Sequence, residues 1–269
     1  MRPVLTIAGF DPSSGAGVTA DLLVFAAHGL FGTACITALT VQNTLGVRST
    51  QPIGVGQISE TLEFLTDDIS PQGIKIGMLG EAETVRAVAR FLRELPNRAA
   101  IPVVLDPVVR SSSGRSLLSQ EGVIAMRDEL LPLVDWVTPN LDELGALLGR
   151  SRPNEAEIEG AAEQLRRQSD GLHLVVTGGH LNAPDDLLVL PGSRPHWLRG
   201  RRVETSSTHG TGCTYSSALV SRLVLGDSAK QAALEAKAYV EEAMRSAQPL
   251  GRGHGPLNHL WPLRTSRQD

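Results

Sequence analysis

VLTIAGF (4–10), DPSSGAG (11–17) and VTADLLVFAAH (18–28) follow one another without a break. Together they read as a strand, a Gly-rich turn and a helix. The strand is apolar at nearly every position, the texture of one covered on both faces rather than of one with a wet side. The same unit recurs along the chain. Strands are expected at Val4–Gly9, Gly32–Leu39, Gly73–Ile76, Pro102–Leu105, Trp136–Thr138 and His173–Thr177, with helical segments at Val18–His28, Gln57–Asp68, Glu81–Leu95, Leu141–Leu148 and Glu155–Gln168. Such alternation predicts an α/β fold, a mostly parallel sheet between two layers of helices. Beyond Thr177 two brief segments, Asp186–Leu190 and Arg194–Val203, read as an antiparallel edge, and helices are expected at Gly212–Leu225 and Ser228–Ala247. With no internal repeat and no Pro-, Gly- or Ser-rich linker, residues 1–269 are expected to form one domain.

Charge narrows the function. Against 25 Lys and Arg stand 29 Asp and Glu, a net charge of −4, and no block of like charge offers a footprint for nucleic acid or a membrane surface. The opening MRPVLTIAGF is apolar too briefly for a signal peptide or a membrane span. The two cysteines, Cys35 and Cys213, have neither metal-ligand spacing nor the pattern of a disulfide framework. A cytoplasmic protein is expected.

Two Gly-rich turns stand at strand-to-helix junctions, where open α/β sheets bind ligands. Gly15-Ala16-Gly17-Val18-Thr19-Ala20 fits a dinucleotide fingerprint, yet no acidic residue lies between Asp21 and Glu60 to hold a ribose, so NAD is discounted. A substrate-facing loop and a plain Asx turn begun by Asp11 both remain open. The second turn, Thr208-His209-Gly210-Thr211-Gly212-Cys213-Thr214, leads straight into a helix that ends before Gly226. Its glycines let backbone N–H groups approach an anion, and the helix start adds partial positive charge. It is not a Walker loop. Cys213 sits where that field is expected to favour a thiolate, making it a candidate base, whereas Cys35 reads as a small buried hydrophobe.

The ordered segments TIAGFDPSSGAGVTAD, ITALTVQNT, KIGML, VVLDPV, TPNLDE, VTGGH, THGTGCTYSSAL and GRGHGPLNH cover the chain from about residue 4 to residue 260. In this order they resemble the hydroxymethylpyrimidine/phosphomethylpyrimidine kinases, members of the ribokinase-like superfamily. The resemblance implies a ribokinase-like three-layer α/β/α sandwich. It implies an ATP- and Mg²⁺-dependent reaction of thiamine biosynthesis, in which 4-amino-5-hydroxymethyl-2-methylpyrimidine and then its monophosphate are phosphorylated, and it implies a homodimer. The family's pyrimidine pocket maps onto Gly9, Asp21, Val41, Gln42, Met78, Val108 and Cys213. Gln42 is the telling member, because one amide can donate to a ring nitrogen and accept from the exocyclic amine. Gly210, Thr211 and Gly212 would hold the transferring phosphoryl group and Cys213 would take the proton. The nucleotide side falls on Asp106, Asn140, Glu143 and Thr177, with Mg²⁺ near Asp106 and Glu143.

Three departures stand out. Thr177 replaces a Lys found in many relatives, Ser14 replaces the usual Gly of the first turn, and Leu23-Val24 replaces a Lys-Thr pair. A pyridoxal or pyridoxine kinase is the competing enzyme, since that substrate also carries a hydroxymethyl on a nitrogen heterocycle; Cys213 and Gln42 favour the pyrimidine. A silent pyrimidine-binding protein is the alternative outside catalysis. The intact Gly-Thr-Gly-Cys turn with Asn140 and Glu143 argues against it.

Overall fold

Alternate residues of each strand bury against opposite helical layers, and this period of two builds the molecule. Leu5, Ile7, Val103, Leu105, Val137, Leu174, Val176, Leu187 and Val189 belong to one apolar cluster. Their neighbours Val4, Val104, Trp136, Val175 and Leu188 belong to a second cluster on the other face. The computed structural model describes residues 1–111, 113–179, 181 and 183–265.

Nine strands form one sheet: β1 (Pro3–Phe10), β2 (Phe31–Asn43), β3 (Gly46–Pro52), β4 (Ile74–Ile76), β5 (Val103–Leu105), β6 (Trp136–Val137), β7 (His173–Val176), β8 (Asp186–Val189) and β9 (His196–Leu198). Their order is β3-β2-β1-β4-β5-β6-β7-β8-β9. The run from β2 to β7 is parallel, while β3 at one end and β8 and β9 at the other are antiparallel. The first apolar cluster is completed by α2 (Val55–Asp68), α3 (Ala82–Glu94), α4 (Gln120–Ala125), α5 (Leu141–Leu147) and α6 (Ile158–Arg166). The second is completed by α1 (Gly17–Ala27), α7 (Thr211–Leu225), α8 (Ala229–Arg245) and Trp261 of the short α9 (Trp261–Thr265). The expected three layers are therefore present.

Several bounds differ from expectation. β2 runs four residues past Leu39, and β3 follows it as a second antiparallel edge that the pattern of GVRSTQP does not announce. That strand is half-buried or exposed at every position, so it lacks the apolar alternation that marks a strand. The expected strand Arg194–Val203 shrinks to His196–Leu198, and Glu155–Glu157 is a 3-10 turn leading into α6. No described helix is long and apolar enough to cross a membrane.

One position breaks the strand pattern. Lys75 is the middle residue of β4, in register with Thr6 on one side and Val104 on the other, so it faces the second cluster. It has no exposed surface. Its Nζ lies 3.0 Å from Oδ2 of Asp21, itself fully buried on α1. Asp21 also accepts hydrogen bonds from Thr6 Oγ1 at 2.6 Å and Ser217 Oγ at 2.7 Å. The pair thus ties β1, β4, α1 and α7 together. Burial pulls the ammonium toward neutrality, but the charges of Asp21, Cys213 and Asp106 outweigh it and hold Lys75 above its ordinary range. Lys75→Met should cost about 3–5 kcal/mol in urea unfolding, because Asp21 is left as an unpaired buried charge. Adding Asp21→Asn to that variant should recover part of the loss.

Candidate functional site

The parallel strands end on one edge, and the candidate residues sit there. Asp11 follows β1, Met78 follows β4, Asp106 follows β5, Asn140 follows β6 and Thr177 follows β7. The second Gly-rich turn arrives from the far end of the chain. Gly210 caps α7 in the left-handed region with φ 86°, and a Cβ there would lie 1.8 Å from the Gly15 carbonyl oxygen. A Cβ on Gly15 would strike the His209 ring at 2.3 Å. The two turns therefore touch, and each requires the glycine of the other.

Asp11 joins them as well. Its carboxylate accepts from His209 Nε2 at 2.7 Å, from the Ser13 amide at 2.8 Å and hydroxyl at 2.7 Å, and from the Ala16 amide at 2.9 Å. Burial pushes this carboxyl up, but the bonds from His209, Ser13 and Gln42 prevail and hold it well below the usual carboxylate range. Ser14, in the place of the family's glycine, has φ 58°. An L side chain is strained in that region.

Around Lys75 the charges are crowded. Asp106 is buried; Ser216 Oγ lies 3.4 Å from its Oδ2, and the Cys213 thiol is also hydrogen-bonded to it. Burial raises the Asp106 pKa, Lys75 opposes the rise and Asp21 adds to it. For Cys213 the expectation of a thiolate fails. Burial pushes the thiol up to about 12, Asp106 and Asp21 add to the rise, and Lys75 together with the Gly17 amide opposes them without prevailing. The helix-start field is outweighed by a desolvated site that already holds two carboxylates.

Asn140 and Glu143 form a capping box on α5: the Asn140 side chain accepts from the Glu143 amide at 2.9 Å, and Glu143 Oε2 accepts from the Asn140 amide at 2.9 Å. The first-turn reading of Glu143 is thus met, but it does not exhaust the residue. Burial first and the nearby Asp106 second push Glu143 up to about 8, against the amides of Asn140 and Val109. Two buried carboxylates that raise one another are relieved by a cation. Among the described residues no group of three or more His, Cys, Asp or Glu stands ready to hold a metal. The donor set suits Mg²⁺, which keeps several waters and takes one or two carboxylates alongside phosphates. Thr177 bridges to Asn140 in parallel register and is half-buried; His180, the last residue of VTGGH, lies outside the described residues.

On the ring side, Gly9 and Met78 are buried against each other, with a Cβ on Gly9 meeting Met78 Sδ at 2.9 Å. Met78 also lines a cleft of about 250 Å³ with Ala38, Thr50, Gly80 and Leu117. Val108 is half-buried, and Val41 is exposed beside the irregularity that separates it from Gln42. Gln42 is half-buried with its amide on Asp11. Asp21, expected among the ring contacts, has both oxygens engaged and no exposed surface, so touching a ligand would require it to part from a partner. Lys75 was missed by sequence reasoning; a lysine inside the three-residue apolar strand Ile74-Lys75-Ile76 was the available signal.

Residues 11–258 match the family model for phosphomethylpyrimidine kinase. A hydroxymethylpyrimidine/phosphomethylpyrimidine kinase of Haemophilus influenzae is 40% identical over 264 residues, covering 96% of this chain and 97% of that protein. A thiamine biosynthesis bifunctional protein of Geobacter sulfurreducens is 39% identical over 96% of this chain, which spans 52% of its length. Among solved structures, an ADP complex of Bacillus subtilis pyridoxal kinase superposes with a TM-score of 0.87 at 31% identity, covering 98% of this chain and 99% of that one.

Two measurements check the local physics. Ser14→Gly should stabilise the protein by about 0.5–1 kcal/mol in chemical unfolding, through release of the left-handed strain. Alkylation of Cys213 should be slow near neutrality, and its rate should still be rising between about pH 9 and 10, as a thiol held near the value above requires.

Proposed function

The chain belongs to the phosphomethylpyrimidine kinase family, and from that premise we propose that it phosphorylates 4-amino-5-hydroxymethyl-2-methylpyrimidine and then its monophosphate at the expense of ATP, in thiamine biosynthesis. The observation that carries this reading is the Cys213 thiol, held on the first turn of α7 directly after the Gly210-Thr211-Gly212 amides and hydrogen-bonded to Asp106. Phosphoryl transfer asks mainly for positioning and charge stabilisation, and a thiol beside an anion-holding turn meets that need.

In this reading Gly9, Val41, Met78 and Val108 surround the ring and Gln42 reads its polar edge, with Asp21 acting through Lys75. The amides of Gly210, Thr211 and Gly212 stabilise the phosphoryl group in flight. Cys213 takes the proton of the hydroxymethyl oxygen. Because the free protein keeps it as a thiol, it gives its own proton to Asp106 as it accepts the new one. Asn140 and Thr177 flank the nucleotide. Mg²⁺, held by Asp106 and Glu143 with waters and phosphate oxygens, neutralises charge on the phosphates when bound. The family likeness supports a homodimer working in the cytoplasm, as well as the single-domain organisation of residues 1–269.

ADP release with the pyrimidine, its monophosphate and pyridoxal offered side by side tests the substrate; faster turnover of pyridoxal would sink the pyrimidine reading. Cys213→Ala should lower kcat by about 10²–10⁴-fold while both ligands still bind, and near-normal kcat would reduce the thiol to packing. Gln42→Leu should raise the KM for the pyrimidine and leave that for ATP unchanged. For Glu143 the sign follows from its raised pKa: the carboxyl is neutral below about 8 and gains its charge above. The Mg²⁺ concentration for half-maximal rate should therefore fall as pH rises through that value. In Glu143→Gln it should be higher and flat with pH.

A further inference from the structure

Asp11 takes no part in the reaction drawn above, yet it is almost wholly buried where the two Gly-rich turns meet. It reaches across the chain to His209, 198 residues away, and it anchors its own turn through Ser13 and Ala16. Its third direction is β2. Thr40 Oγ1 donates to the carbonyl of Phe10 at 2.9 Å, which holds β2 against the residue before Asp11, and two positions further along the Gln42 amide meets the Asp11 carboxylate.

We infer that Asp11 is a positioning residue that joins the two halves of the site: through Gln42 it fixes which edge of that amide faces the ring, and through His209 it fixes the seat of the Gly210–Gly212 turn. This rests on the reading of Gln42 and of the turn given above. A carboxylate only accepts, so every partner must present a hydrogen to it. Gln42 is thereby forced to turn its NH₂ toward Asp11. With one amide hydrogen spent there, the other hydrogen and the side-chain oxygen stand next to each other as a donor–acceptor pair. The aminopyrimidine offers the complement, a ring nitrogen beside an exocyclic amine. Pyridoxal carries an aldehyde oxygen beside its hydroxymethyl group, where the pyrimidine carries the amine, so two acceptors would oppose each other. Rotating the Gln42 amide would cure that clash but would set its oxygen against Asp11. Asp11 is in this way a specificity-determining residue that need not touch the substrate.

The same carboxylate holds His209, whose ring lies over Gly15 and whose chain neighbour Gly210 begins the anion-holding turn. The His209 amide in turn donates to the Gly255 carbonyl at 3.0 Å, so Asp11 supplies the one side-chain tie of this ring on the side of the first turn.

The test compares kcat and KM for the aminopyrimidine and for pyridoxal in the wild type and in Asp11→Asn, His209→Leu and His209→Gln, with thermal unfolding of each. An Asn can donate as well as accept, so Gln42 is freed to rotate, and the preference for the pyrimidine should fall about tenfold or more in Asp11→Asn. His209→Leu should lower kcat for both substrates by about tenfold and leave their ratio unchanged, and His209→Gln, which still donates to Asp11, should restore most of the rate. A wild type that does not phosphorylate the pyrimidine removes the reading beneath the inference. A wild type that does, paired with an Asp11→Asn variant of unaltered preference or a His209→Leu variant of normal kcat, overturns the inference itself. Should Asp11→Asn fail to fold, a cycle of Gln42→Leu and His209→Leu decides. Joined through Asp11, their combined loss in kcat/KM should fall well short of the product of the single losses, and a product within about twofold counts against the link.

Discussion

The buried pair of Lys75 and Asp21 is the constraint on which the rest depends. Desolvating two charges costs several kcal/mol per ion, and only close pairing with hydrogen bonds to the remaining lone pairs offsets it. Thr6 and Ser217 complete that shell, so the sheet, α1 and α7 must all be in place before the lysine can be buried. The arrangement fixes α7 by its second turn, and with it the position of Gly210, Gly212 and Cys213 at the helix start. A fully apolar β4 would make an easier core but would leave the base of the anion cradle without a cation. Stability and chemistry draw on the same ammonium group.

Around that cation the acids outnumber it. Asp21 is matched to Lys75, but Asp106 and Glu143 are buried with Cys213 in a space that disfavours their charged forms. Burial dominates each of these shifts, and the carboxylates reinforce one another. Such a site is preorganised for a ligand that brings positive charge and takes protons on arrival. The high thiol pKa of Cys213 belongs to this picture: the residue is poised by its neighbours rather than by the helix start alone.

Much of the fold could be read from residues such as Val103-Val104-Leu105, where apolar neighbours bury on both faces of a parallel sheet. β3 escaped because an edge strand of polar residues has no buried face to reveal it. The Gly-rich turns were legible because a glycine forced to φ 86° leaves its mark in composition. Their mutual contact was not, since it joins residues nearly two hundred positions apart. The pKa of Cys213 was misread for the same reason: the field of a helix start is local in sequence, whereas Asp106, Asp21 and the burial that dominate it come from distant strands and helices.

The link between Asp11 and His209 spans 198 residues, and that between Asp21 and Ser217 spans 196. Closing loops of this length carries an entropic cost before any contact rewards it, and pairings so remote slow folding. During synthesis the first half of the sheet emerges with Lys75 and Asp21 while their shared partner on α7 is still unmade. A nascent chain that has not yet delivered residue 217 therefore holds a buried ion pair short of one hydrogen bond and a phosphate turn that does not exist. Competence to transfer phosphate arrives late, when the last large helices dock, and partly made chains pass through the cell without a working site.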